Sequence, residues 1–213
     1  EQRIRENSYI LHNAIQAEKY SFSAKNRNDI KAKMSLDSES FYLVCVATLS
    51  DNKNQSFLIE TIKKLPDNFK LLLVGDGSIK PELMELAKKI GVASRVLFLG
   101  DRNDVSALLS AADCFVLPSK AEGLPVSIVE AEMNGLPCVI SDCISREVDF
   151  TGKVWFEPID GHGINTWKER LLQIEASHYE HVSPSREVIA SSGYDISVEG
   201  KKLAQKYKEL FER

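Results

Sequence analysis

Cys114-Phe115-Val116-Leu117-Pro118-Ser119-Lys120-Ala121-Glu122-Gly123-Leu124-Pro125-Val126-Ser127-Ile128-Val129-Glu130-Ala131-Glu132-Met133-Asn134-Gly135-Leu136-Pro137-Cys138-Val139-Ile140 reads as one strand–helix–strand unit. Two continuous apolar runs, Cys114–Leu117 and Pro137–Ile140, are strands buried on both faces, which is the pattern of a parallel sheet. Between them the spacing predicts a helix over Val126–Asn134, with Pro125 expected at its first turn, where the missing N–H costs nothing. The N–H groups of Gly123, Leu124, Val126 and Ser127 then gather at the positive end of that helix, a ready anion site. Glu122 and Glu130 flank it. Helical side chains lean toward the N-terminus, so Glu130, one turn after Val126, points back toward the same end. Val126, Ile128, Val129, Ala131 and Met133 leave the helix little polar face, and a carboxylate held among them needs a partner. The unit offers a place for an anion beside two acceptors suited to sugar or ribose hydroxyls.

The same alternation extends in both directions. Further strands are expected at Phe41–Thr48, Lys70–Val74, Arg95–Leu99 and Lys153–Phe156. Helices are expected at Gln55–Lys64, Pro81–Ile90, Val105–Ala112 and, briefly, near Ser145–Asp149. This is an α/β fold: a Rossmann-like parallel sheet of about six strands with helices on both faces, whose ligands bind beyond the carboxyl ends of the strands. Beyond it, Gly163–Ala176 and Asp195–Phe211 read as amphipathic helices, with a shorter helical stretch around Ser185–Ser191. The first forty residues are polar and irregular, apart from the apolar Tyr9–Leu11 and a helix near Asn28–Lys33. The chain thus divides into a lead-in (1–40) and a Rossmann-like domain with C-terminal helices (41–213).

Composition narrows the function. The chain has 213 residues, 43% hydrophobic and 27% charged, with net charge -4, so no basic stripe marks a nucleic-acid binder. Lys88-Lys89 and Lys201-Lys202 fall in helical patterns and read as solvated faces. No apolar run reaches the roughly 18 residues of a membrane span, and no signal peptide is visible. The chain opens on Glu1 rather than Met, as a fragment would. Cys45, Cys114 and Cys138 sit in strand-like runs and read as small buried hydrophobes; Cys143 lies in a loop. With no Cys-x2-Cys pair, a reducing compartment fits.

The other site candidates lie at the ends of strands. Gly75-Asp76-Gly77-Ser78 follows the second strand, where glycines admit close approach of a ligand or make a plain turn. It lacks the third glycine of the dinucleotide fingerprint, and no glycine follows the first strand, so NAD binding is disfavoured. Lys53, in Ser50-Asp51-Asn52-Lys53-Asn54-Gln55, is placed to meet a phosphate or to sit solvated in its loop. Arg102, Asn103 and Asp104 follow the third strand and either frame a base or cap the next helix. His162 reads as structural, and His12, His178 and His181 carry less signal still. No Asp-x-Asp pair marks a divalent metal beside a diphosphate.

Together these residues resemble the donor-binding, C-terminal half of retaining glycosyltransferases of family 4, the group 1 transferases of GT-B fold. The resemblance runs from about Tyr9 to Leu210. It is carried by Leu73-Val74-Gly75-Asp76-Gly77, Val96-Leu97-Phe98-Leu99-Gly100, Ala111-Ala112-Asp113, Leu117-Pro118-Ser119, Glu122-Gly123-Leu124-Pro125, Glu130-Ala131 and Gly135-Leu136-Pro137-Cys138-Val139-Ile140. It implies a nucleotide-diphosphate sugar, a UDP- or GDP-sugar, as substrate, with no cofactor and no metal. Glu130 would bind ribose hydroxyls and Glu122 the donor sugar. The amides after Glu122, at Gly123, Leu124 and Val126, would meet sugar and diphosphate, with Gly75 and Gly77 nearby. Lys53 matches the family's phosphate lysine, and Arg102 to Asp104 the stretch near the base. Glu122 and Lys53 are the catalytic candidates.

The resemblance also implies a glycan or lipid-linked acceptor bound by an N-terminal half, surface polysaccharide assembly, and a cytoplasmic site with peripheral association at the inner face of the membrane. Asn13-Ala14-Ile15-Gln16 stands where the family has its inter-domain passage. One departure concerns the phosphate: the family's Gly-Arg after the first strand is here Ala47-Thr48, and threonine brings no guanidinium fork. The alternatives are a nucleotide-sugar-binding module with impaired catalysis, or another GT-B enzyme such as a nucleotide-sugar 2-epimerase or a phosphorylase.

Overall fold

The computed structural model describes residues 11–211. Tyr9 and Ile10, and with them the start of the lead-in, lie outside the described residues. Six strands, β1 (Phe41–Val46), β2 (Phe69–Val74), β3 (Val96–Gly100), β4 (Cys114–Leu117), β5 (Cys138–Ser141) and β6 (Val154–Glu157), form one sheet in the order β3-β2-β1-β4-β5-β6. Every pairing is parallel. Each strand from β1 to β5 is largely apolar, and β4 and β5 are buried at every position, as a sheet covered on both faces requires. Strand order reverses between β1 and β4, where Leu43 pairs with Cys114 and Val44 with Phe115. The crevice beyond the carboxyl ends of those two strands is the topological switch point of the sheet.

The described helices are α1 (Ala17–Tyr20), α2 (Ala24–Lys33), α3 (Gln55–Lys64), α4 (Lys80–Lys89), α5 (Val105–Ala111), α6 (Val126–Asn134), α7 (Gly163–Ala176), α8 (Arg186–Ser191) and α9 (Ile196–Phe211). They pack in two sets, α3 with α4 and α7, and α5 with α1, α2 and α6, as a doubly wound sheet demands. Among the described residues no helix is long and apolar enough to cross a membrane. Cys45, Cys114 and Cys138 are buried and Cys143 is exposed.

Several boundaries differ from the sequence reading. The first strand ends at Val46, not Thr48; beyond it the chain turns to cross the loop after β2, Leu49 N–H donating to the carbonyl of Asp76 at 2.9 Å. Pro125 is the N-cap residue of α6, in extended backbone, rather than its first helical residue. The helix expected near Ser145–Asp149 is a single 3-10 turn at Arg146–Val148. The helix expected near Asn28–Lys33 starts earlier, at Ala24, because the Ser23 hydroxyl caps it by accepting Asn26 N–H. The four-residue α1 was not expected at all.

One residue of α6 breaks the apolar rule. Glu132 is fully buried. Its Oε1 accepts from Phe150 N–H at 3.3 Å, Thr151 N–H at 3.1 Å and the Thr151 hydroxyl at 2.6 Å, which anchors the β5–β6 connection to the helix. Its Oε2 has no partner among the described residues. Burial pushes this carboxyl up to about 8, its bonds to Thr151 pulling the other way. The ordinary form at neutral pH is therefore the protonated acid.

Candidate functional site

Two loops meet at the switch point. The loop after β1 holds Thr48 to Asn54, and the loop after β4 holds Pro118 to Pro125. They are laced together by Lys120 N–H to the Asn52 carbonyl at 2.8 Å, by Asn52 Nδ2 to the Ala121 carbonyl at 2.8 Å, and by Asn54 Nδ2 to the Pro118 carbonyl at 3.2 Å. Asn54 caps α3 in left-handed backbone, φ 57, a conformation asparagine tolerates better than most residues. Buried Gln55 clips the first loop from below: Nε2 donates to the Thr48 carbonyl at 2.9 Å, and Oε1 accepts Ser50 N–H at 3.3 Å.

This lacing brings together two candidates 69 positions apart in the chain: Lys53 Nζ and Glu122 Oε1 form an ion pair. Their side chains are 23% and 13% exposed, so the pair faces solvent on one side only. Screening is weaker there than on an open surface, and removing either partner strands the other charge in a half-dry site.

Beside this pair, α6 presents its N-terminus. Pro125 supplies no side-chain cap. Among the described residues no acceptor takes the N–H groups of Gly123, Leu124, Val126 or Ser127. Gly123 is exposed, and a Cβ added to it would meet nothing within 4 Å. Donors and helix dipole therefore face the edge of the sheet, where an anion is stabilised. Thr48 is exposed at the same edge.

The glycines after β2 have a tighter task than the sequence suggested. Gly75 has φ 123, and its Cβ would lie 2.3 Å from the Ala47 carbonyl oxygen; that of Gly77 would lie 2.0 Å from the carbonyl oxygen of Leu49. They let the loop after β2 press its backbone onto the loop after β1. Arg102 and Asp104 pair with each other through two bonds, 2.8 and 2.7 Å. Asp104 is the N-cap residue of α5, but its side chain makes no capping bond; the Arg102 guanidinium takes it and holds its carboxyl below the usual range. Asn103 lies between them.

Glu130, half-buried, is not held at the Lys53–Glu122 pair. It lies on the helix that packs against α1 of the lead-in, with Tyr20 and Lys19 near enough to act on its carboxyl. Burial raises its pKa above the ordinary value, and Tyr20 and Lys19 pull it back. Tyr20, Lys19 and Gln55 are contributors that the sequence reading missed. The place of Gln55, directly after the Lys53 loop at the start of α3, was the available signal for one; Tyr20 carried none, being more than a hundred residues from Glu130.

His162 precedes α7, its main-chain N–H bonded to Asp160 Oδ1 at 2.9 Å, and His181 Nε2 meets Asn134 Oδ1 at 2.7 Å. A cleft of about 440 Å³ lies at the opposite, amino edge of the sheet, bounded by Arg27, Lys31, Phe41, Asp113 and Tyr179. Among the described residues no group of three or more His, Cys, Asp or Glu side chains is arranged to hold a metal ion.

Comparison with known proteins places this architecture. The chain is 32% identical over 194 residues to the putative glycosyltransferase EpsF of Bacillus subtilis, covering 90% of this chain and 50% of that protein. It is 35% identical over 140 residues to the UDP-Gal:alpha-D-GlcNAc-diphosphoundecaprenol alpha-1,3-galactosyltransferase of Escherichia coli, covering 62% of this chain and 36% of that one. The chain thus spans about half, or less, of the length of these curated relatives. Among solved structures, Anabaena Alr3699/HepE in complex with UDP superposes with a TM-score of 0.82 at 21% identity, over 96% of this chain and 58% of that one. At that identity the likeness shows the fold, a Rossmann-like half of the GT-B type. Residues 40–166, more than half of the chain, match the family described as glycosyl transferases group 1, and the chain belongs to that family.

Proposed function

We propose that this chain is the C-terminal, donor-binding domain of a retaining, metal-independent glycosyltransferase that moves a hexose-type sugar from a UDP- or GDP-sugar to a glycan or lipid-linked acceptor, in surface polysaccharide assembly. The observation that carries the reading is the Lys53–Glu122 pair, assembled from two loops at the switch point beside the open amides of α6. In this reading Lys53 and those amides, Gly123, Leu124 and Val126, take the negative charge of the diphosphate as it departs. This is electrostatic catalysis by groups already in place. Glu122 lies next to them to accept hydroxyls of the donor sugar, and swings off Lys53 as the phosphate arrives. Glu130 accepts the ribose hydroxyls. Arg102, Asn103 and Asp104 frame the base, and Gly75 and Gly77 shape the floor.

No cofactor beyond the nucleotide sugar enters this reading. The acceptor belongs to an N-terminal half preceding the lead-in of residues 1–40, and the whole protein works at the cytoplasmic face of the membrane. The relatives' names and the UDP held by the Anabaena protein support a uridine donor first.

Calorimetric titration with UDP and GDP tests the reading. Glu130→Ala is expected to weaken the bound nucleotide by about tenfold or more, the worth of hydrogen bonds to a charged group. Equal affinity in variant and parent contradicts the ribose role. A second reading, a binding module with degraded catalysis, has one observation in its favour: Thr48, exposed where the family carries arginine.

A further inference from the structure

The segments after β1, β2 and β3 each bring a cation to the carboxyl edge, and each cation is already held by a carboxylate. Lys80 Nζ meets Asp76 Oδ2 at 2.7 Å, Arg102 is forked onto Asp104 at 2.8 and 2.7 Å, and Lys53 meets Glu122. The first two are local pairs, four and two positions apart in the chain. Their side chains are 30% and 49% exposed, and 25% and 36% exposed. Pairs so open to water are worth little and separate readily. The Lys53–Glu122 pair is the most sheltered of the three, and it joins two loops. Among the described residues neither of its side chains has another hydrogen bond or ion pair. Each is held by the other alone. The main chains beneath do not depend on them: Lys120 N–H to the Asn52 carbonyl, and Asn52 Nδ2 to the Ala121 carbonyl, fix the two loops independently.

We propose that the Lys53–Glu122 pair sets donor specificity as a latch: Glu122 stays on Lys53 until a diphosphate takes the lysine, so that a sugar is read only when it arrives esterified to a nucleoside diphosphate. The proposal rests on the reading of Lys53 as the phosphate cation. A phosphate oxygen replaces the carboxylate on the ammonium with a charge-assisted bond of the same kind. It also reaches the open amides of Gly123, Leu124 and Val126, which Glu122 leaves unsatisfied. The exchange therefore favours a ligand that carries phosphates. A free sugar or a nucleoside brings no anion. Were it to draw Glu122 away, Lys53 would be left as an unpaired charge in a half-dry site, and that opposes the exchange.

The test is a double-mutant cycle by calorimetry, on the chain and its Glu122→Gln, Lys53→Met and double variants, titrated with UDP and uridine, the GDP pair run alongside. Should Lys53→Met fail to fold, Lys53→Gln takes its place. Glu122→Gln frees the lysine and should bind UDP roughly three- to tenfold tighter than the parent, between the worth of an exposed and of a buried pair, with uridine unmoved. The same substitution made in Lys53→Met should give a gain smaller by roughly threefold or more, because no pair remains to be broken. Equal gains in the two backgrounds mean that Glu122 merely repels the phosphate; the latch is then overturned and the donor reading stands. A gain for uridine equal to that for UDP overturns it as well. If the double variant binds UDP as tightly as Glu122→Gln, Lys53 does not touch the phosphate, and the proposal falls with that part of the reading. If the parent binds neither UDP nor GDP, the donor reading itself falls.

Discussion

Glu132→Gln should stabilise this protein, and by an amount that depends on pH. Glu132 is fully buried, with three donors on Oε1 and no partner for Oε2 among the described residues. Its carboxyl is raised from 4.5 to about 8. A raised folded pKa means the fold accommodates the protonated acid. Stability is full below the unfolded value near 4.5 and is lost as pH rises toward 8. Each pH unit between costs about 1.4 kcal/mol, so the parent has lost about 3 kcal/mol by pH 7 and about 5 kcal/mol above pH 8. Glutamine keeps the accepting oxygen for Phe150 and Thr151 and carries no charge to bury. At pH 5 the parent's loss is about 1 kcal/mol or less, and the two proteins should melt within a few degrees of each other. At pH 7 the variant should melt higher by roughly 6–12 °C, taking about 2–4 °C per kcal/mol for a chain of this size. Thermal unfolding followed by circular dichroism at pH 5, 7 and 8 reads the effect. A gap that stays the same at all three values would refute the assignment of a protonated, buried Glu132.

Two other substitutions probe the site's frame and its missing charge. Gly77→Ala places a Cβ 2.0 Å from the Leu49 carbonyl oxygen and should cost about 1–3 kcal/mol as the two loops are forced apart, seen as a lower melting temperature; an unchanged midpoint would show that the loops are free to separate. Thr48→Arg adds a guanidinium to an exposed position beside the Lys53 loop and should tighten UDP by about tenfold while leaving uridine unaffected. A gain for uridine of the same size would place the new contact away from the phosphates.

Much of the fold was legible because burial on both faces writes itself as uninterrupted apolar runs. The bounds of α3, α6 and α7 coincide with the residues read from spacing, Gln55–Lys64, Val126–Asn134 and Gly163–Ala176. Helix α1 was invisible because four residues hold too little periodicity; what shapes it is tertiary, through Ala17 packed on α6 and Tyr20 pinned by Asn134. The glycines at 75 and 77 were read as admitting a ligand or making a turn, yet they serve first to bring two backbones together, a contact that a single sequence does not display. Glu132 was legible and passed over: it follows Ile128 by four positions and Val129 by three, on the buried stripe, and a carboxylate there announces a perturbed group. Glu122 and Glu130 fare differently. Both lie on one short segment, but the first finds its partner across the switch point while the second lies on the helix that the lead-in packs against, and only the folded chain shows that division.

The central claim is that a nucleotide sugar binds at the carboxyl edge of the sheet, over the Lys53–Glu122 pair and the start of α6. Amide chemical-shift mapping of the isotopically labelled chain during titration with UDP tests it most directly. The account predicts shifts concentrated at Thr48 to Asn54, at Gly75 to Gly77, and at Glu122 to Glu130. Shifts centred instead on Arg27, Lys31, Asp113 and Tyr179, with the carboxyl edge unmoved, would contradict it.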